Sequence, residues 1–252
     1  MTKGHHARSA GSIAADFRDQ LIIDRYDPVF QNTRGTKRKH LHGANGEDAV
    51  TWNVFRSLRQ IDSAVWLPEL FRAAFPTQTS PHCEHAAVDL WRTIGPPPGL
   101  VDGDDGESDI DVVIETPLWA WIIEGRLHGD MAGRTTTRAD RDQVLRLIDV
   151  GSHCAGVRRF YFSLLVADRA RSEAAVAAIT EFATLARPRE LLRAHRPDGL
   201  ANLSGVSVLT WQDLQEVLAD AAEAAARDEE RAFAARAHGW LAERTLVGSA
   251  GR

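Results

Sequence analysis

Lysine is nearly absent from this chain. Among its 252 residues are Lys3, Lys37 and Lys39, and no lysine follows position 39, so the positive charge of the remainder rests on arginine. Arginine stays protonated in proteins, so any step that needs a neutral side-chain amine finds none beyond that point. Cysteine is also scarce. Cys83 and Cys154 cannot build a disulfide framework, which suits a reducing compartment, and both read as small buried hydrophobes. No stretch approaches the roughly 18 apolar residues of a membrane span, and the start, MTKGHHARSA, lacks the apolar run of a signal peptide. The expectation is a cytoplasmic, soluble protein with no membrane partner. A large excess of one charge sign is missing too: 30 Lys plus Arg face 35 Asp plus Glu, a formal net charge of -5. Any anionic partner must therefore be held by a local basic patch rather than by the whole molecule.

What is present is 44% hydrophobic residues, enough for one sizeable core. Residues 1–45 read as a polar, basic N-terminal arm, partly flexible, with one apolar piece (Leu21, Ile22, Ile23) and the basic run Arg34 to His40. From Asn45 the spacing of Val50, Val54, Leu58 and Ile61 predicts a helix, and a second helix is expected from Pro81 to Trp91. Strands at 110–115 and 119–127 form a hairpin about Thr116-Pro117. A helix follows at 138–150, ended by Gly151, then a strand at 159–166, a helix at 172–186 and a strand at 206–209. This order predicts an α/β core over residues 46–211, a mixed sheet flanked by helices. Residues 212–252 form an alanine-rich helical C-terminal segment. One continuous helix there would exceed what the sheet needs, so it either folds back as a pair or is shared with a second copy; the homodimer is the expectation.

The chemistry concentrates in Glu107-Ser-Asp109-Ile-Asp111-Val-Val-Ile-Glu115 and Trp121-Ile-Ile-Glu124-Gly-Arg126. Strand alternation puts Asp109, Asp111, Val113 and Glu115 on one face, and Glu124 with Arg126 on one face of the next strand. Asp111 and Glu124 can then meet across the hairpin. Two carboxylates and a backbone carbonyl are hard oxygen ligands of the kind Mg²⁺ accepts while keeping waters for chemistry. His82-Cys83-Glu84-His85 is too crowded for a zinc site, and Trp52, Trp91, Trp119, Trp121 and Trp211 read as core.

Taken in order, these residues resemble the PD-(D/E)XK nucleases of restriction-endonuclease-like fold. Their core is a helix with Glu, a strand with Asp, a strand with Glu-x-Lys and a helix often bearing Gln. Here Glu47 in GEDAVTWNVFRSL, Asp111 in SDIDVVIE, Glu124 in IIEGR and Gln143 in RDQVLRLID follow that order, across roughly residues 46 to 166. The resemblance implies a metal-dependent endonuclease that hydrolyses phosphodiester bonds of nucleic acid, DNA favoured, in a restriction or antiviral defence setting. Asp111, Glu124 and Glu47 would hold Mg²⁺, or Mn²⁺ in its place, with Gln143 as a further catalytic residue. Arg126 stands where the family has lysine. It cannot act as a base, but it can hold a phosphate bidentately and steady transition-state charge. The surrounding acids require nearby positive charge, for which Arg134, Arg138, Arg141, Lys37, Arg38 and Lys39 are the nucleic-acid-binding candidates.

Two other readings stand beside this one. GESDIDVVIE also looks like the two-carboxylate motif of a nucleotidyltransferase using Asp109, Asp111 and Glu124. The position of that family's Gly-Ser turn is held by Gly95-Pro-Pro-Pro-Gly99, which has no serine and few free amides. Arg126, in turn, favours a catalytically inactive nuclease-like protein that binds nucleic acid or a partner.

Overall fold

Five strands of eight residues make one sheet whose spatial order follows the chain: β1 (Ala87–Ile94), β2 (Ser108–Glu115), β3 (Trp119–Arg126), β4 (Arg159–Val166) and β5 (Leu203–Thr210). The first three form an antiparallel meander, and β3, β4 and β5 run parallel. The computed structural model that shows this describes residues 16–32, 41–42, 46–98, 106–126, 143–193, 196–197 and 199–249. Parallel neighbours need crossovers. Helix α3 (Gln143–Ala155) lies between β3 and β4, and α4 (Glu173–Phe182) with α5 (Ala186–Leu192) lies between β4 and β5. These three cover one face of the sheet. The other face is covered by α1 (Glu47–Leu58), α2 (Ser63–Ala74), α6 (Trp211–Ala224) and α7 (Asp228–Ser249).

The result is an α/β protein with a mixed sheet between two helical layers, as the order of elements predicts. The helix expected at 81–91 is instead a loop followed by edge strand β1. Its residues Val88 and Leu90 face the core at a spacing of two, and seven of its eight residues pair with β2. Helix α3 runs on through Gly151 rather than ending there. A β-carbon at Gly151 would overlap the rings and methyls of Phe160 and Ile122, so glycine lets the helix lie close on the sheet. The chain turns at Gly156, whose φ is +63°.

Residues 17–32 are built into the fold rather than trailing from it. Phe17, Leu21, Ile23 and Phe30 are buried with Leu41 against Ala49 and Trp52 of α1 and Trp91 of β1. The outer side of α1 supplies the polar fastenings. Trp52 Nε1 donates to Ile23 O at 3.0 Å, Asn53 Oδ1 accepts from Ile22 N at 2.9 Å, and Asn53 Nδ2 donates to Gln20 O at 2.8 Å. Arg56 pairs with Asp24 and Asp27, each at 2.6 Å.

The C-terminal segment is likewise part of the core and not an extension. Thr210 caps α6 in a reciprocal bond pair with Asp213, so β5 passes directly into the helix. The chain breaks at 225–227 and returns as α7, which packs on α6 and α1. Leu214, Val217, Leu218, Ala221, Ala234, Ala237 and Leu241 are all buried within the chain's own core. These helices fold back as a pair, which removes the reason for supposing that a second copy covers them.

Candidate functional site

Glu47 is the first residue of α1, where the helix dipole and open amides favour a carboxylate, and Gly46 before it offers no side-chain cap. Ten of the twelve residues of α1 are buried, because the core lies on one side of the helix and the 17–32 segment on the other. The position of Glu47 is thus fixed from both flanks.

Asp111 lies where the alternation of β2 slips. Val112 and Ile114 belong to the α1 side of the sheet, Val113 to the α3 side, and so does Ile110, which strict alternation would place with Val112. The neighbouring strand is irregular at the same level. Leu90 pairs with Val112 and Arg92 with Ile110, and between them Trp91 takes φ +57°, a strained value for a bulky residue. The Trp91 ring stacks on Trp52 at 4.9 Å. The expected common face of Asp111 and Val113 is therefore not formed. Asp111, 7% exposed, accepts a hydrogen bond at Oδ2 from Gly125 N at 3.0 Å.

Gly125 is the meeting point. A β-carbon there would lie 3.5 Å from Asp111 Oδ2, 3.5 Å from Glu47 Oε1 and 3.4 Å from Thr51 Oγ1. Two carboxylates from a helix and a strand thus converge on the middle residue of Glu124-Gly-Arg126. Glu124, 4% exposed, falls on the other side. Ile122, two residues before it, and Leu164, its register partner on β4, both belong to the α3-side cluster. The β2–β3 register runs from Glu115 and Ala120 to Val112 and Ile123, just before the acids. Gln143 opens α3 on the same side as Glu124. Arg126 closes β3, and its side chain lies outside the described residues, as do Lys37, Arg38, Lys39, Arg134, Arg138 and Arg141.

Among the described residues no three His, Cys, Asp or Glu side chains come close enough to share a metal. The donors at Gly125 are two carboxylates and one hydroxyl. This set suits Mg²⁺, which is held by one or two carboxylates and keeps several waters. It offers no soft ligand for a thiophilic metal. Asp109 is engaged elsewhere, accepting from Thr93 Oγ1 on β1 at 2.8 Å.

Glu115, at the far end of β2, is a structural acid. Burial pushes its carboxyl up, but hydrogen bonds from Arg158 and Arg92 outweigh this and hold it below its ordinary value near 4.5. Its stabilisation is complete above that value and is lost as pH falls through the lowered one. Glu115→Gln should cost about 1–2 kcal/mol near neutral pH. Urea titrations should show the gap from the parent closing as pH falls through that lowered value; a constant gap down to acid would refute the assignment.

A cleft of about 460 Å³ opens at the other end of α3, lined by Ser152, His153, Arg196 and Asn202. Three of its polar side chains have partners within the protein. Ser152 bonds Asn202, Asn202 donates to the carbonyls of Ser152 and Gly156, and Arg196 pairs with buried Asp149. Of the residues around Gly125, Thr51 and Gly125 itself were not among those the motifs single out. The available signal was spacing: Thr51 is one turn beyond Glu47 and on its face. Comparison of the chain with family models, with curated proteins and with solved structures returns no match.

Proposed function

We propose that this protein is a metal-dependent nuclease of restriction-endonuclease-like kind, hydrolysing phosphodiester bonds of nucleic acid, with DNA preferred. The supporting observation is the convergence of Glu47 and Asp111 on Gly125, which brings the helix, the strand and the Glu-x-Arg segment of the motif to one place. Glu47 and Asp111 would hold Mg²⁺, which supplies the positive charge that lowers the pKa of a bound water and offsets charge on phosphate. The Gly125 N–H fixes one oxygen of Asp111, so its carboxylate does not swing away. Glu47 opens α1, where the free amides and the helix dipole favour a carboxylate. Arg126 is assigned to the scissile phosphate, where a guanidinium binds two oxygens at once. Glu124 and Gln143 lie on the other side of β3, so the pair Glu47 and Asp111 carries the reading rather than Asp111 and Glu124.

The test is incubation of the purified chain with duplex DNA, single-stranded DNA and RNA, each with Mg²⁺, Mn²⁺ or EDTA. Shortened products from duplex DNA with metal and none with EDTA are expected. Binding without cutting on every substrate would leave the inactive nuclease-like protein. Transfer of label from a nucleoside triphosphate would favour the nucleotidyltransferase, against which the engagement of Asp109 by Thr93 already counts.

A further inference from the structure

Thr51 is 1% exposed, and its hydroxyl has no hydrogen-bond partner among the described residues. A mid-helix threonine can return its hydroxyl to the carbonyl four residues back, as Thr180 does to Val176 O at 2.7 Å. For Thr51 that carbonyl belongs to Glu47, and the bond is not made. A buried hydroxyl left unpaired is destabilising, and native structures leave few of them without a partner or an ordered water.

The surroundings identify what would satisfy it. Thr51 Oγ1, Glu47 Oε1 and Asp111 Oδ2 lie 3.4, 3.5 and 3.5 Å from one point, the position a β-carbon of residue 125 would take. Glycine leaves that point open. Two of the three oxygens belong to acids, so the matching occupant is a hydrogen-bond donor or a cation with its water. A hydroxyl can accept from such a water while a carboxylate accepts the water's other proton.

We propose that Thr51 is a positioning residue of the ion site, its hydroxyl holding a water of the divalent cation between itself and Glu47. This rests on the nuclease reading for the nature of the ion and adds a residue the motif leaves out. Gly125 is its complement, since any side chain there would fill the space.

The experiment is Mn²⁺ binding to the full chain, followed by electron paramagnetic resonance of the free ion, with melting curves in EDTA beside it. Thr51→Val keeps the shape and removes the hydroxyl; Thr51→Ser keeps the hydroxyl; Asp111→Asn is the control. Thr51→Val should raise the Mn²⁺ Kd about tenfold, the low end for groups that support metal ligands. It should melt in EDTA no lower than the parent, and Thr51→Ser should bind like the parent. Parent-like binding by Thr51→Val, with binding lost in Asp111→Asn, overturns the role of Thr51 and leaves the nuclease reading standing. Weaker binding together with a lower melting temperature in EDTA also overturns it, because a packing defect then explains both. A parent chain that binds no Mn²⁺ sinks the role and the reading together.

Discussion

Asp111→Ala is expected to lower metal-dependent cleavage about 10³-fold, the upper range for loss of one preorganised electrostatic group in an active site. The chain should still fold. The substitution removes the acceptor of Gly125 N, worth about 1 kcal/mol net for a typical hydrogen bond, which is small beside the stability of a domain. Asp111→Asn refines the result, because it retains an acceptor for Gly125 N while removing the charge. Both variants should show that loss with Mg²⁺, and the parent should lose activity in EDTA. Initial rates on duplex DNA, set beside melting temperatures, make the comparison. Cleavage by Asp111→Ala at the parent rate would move the site elsewhere.

The second large effect is structural. A chain begun after residue 32 should lose about 3–5 kcal/mol, because it bares the outer sides of two indoles at roughly 25 cal/mol per Å². Those indoles, Trp52 and Trp91, stack on each other and are covered by Phe30. The same deletion strips α1 of its bonds to Gln20, Ile22, Ile23, Asp24 and Asp27. Since α1 carries Glu47, divalent-ion binding should weaken with stability. Urea denaturation of the two chains measures the first, and Mn²⁺ titration the second. An unchanged urea midpoint would mean that the segment only rests on the surface.

The sheet was largely legible because its strands are apolar and bounded by turn residues. The hairpin of β2 and β3 about Thr116-Pro117, and the strand at Arg159–Val166, follow from those signals. Edge strand β1 was not legible, because half-exposed residues such as Asp89 and Arg92 blur its alternation. Helix α2 went unmarked: Pro68 interrupts it, yet Asp62 caps it through Ala64 N and Trp66, Leu67, Leu70 and Phe71 bury its inner face. The 17–32 segment looked unpacked because its apolar residues are spaced for a wrap around one helix, which no period reveals. At the site, the order Glu47, Asp111, Glu124 was readable, but which acids meet was not. Their meeting goes with the slip at Asp111, which lies beside Trp91 and its positive φ on another strand, and no local pattern reveals it.

Residues 17–32 close on the outer side of α1 and α7 closes on its flank. Glu230 of α7 accepts from Asp62 N, where α2 begins, at 2.9 Å, a bond that spans most of the sequence. Synthesis therefore cannot complete this protein in the order in which it is made. While α7 is still within the ribosome, a nascent chain has its five strands in hand but α1 bare along one side. Pairing of residues so far apart is slow because the intervening loop must close first. A chain that stops within α6 would therefore hold all five strands together with Glu47 and Asp111, yet leave α1 without the helix that packs on its flank.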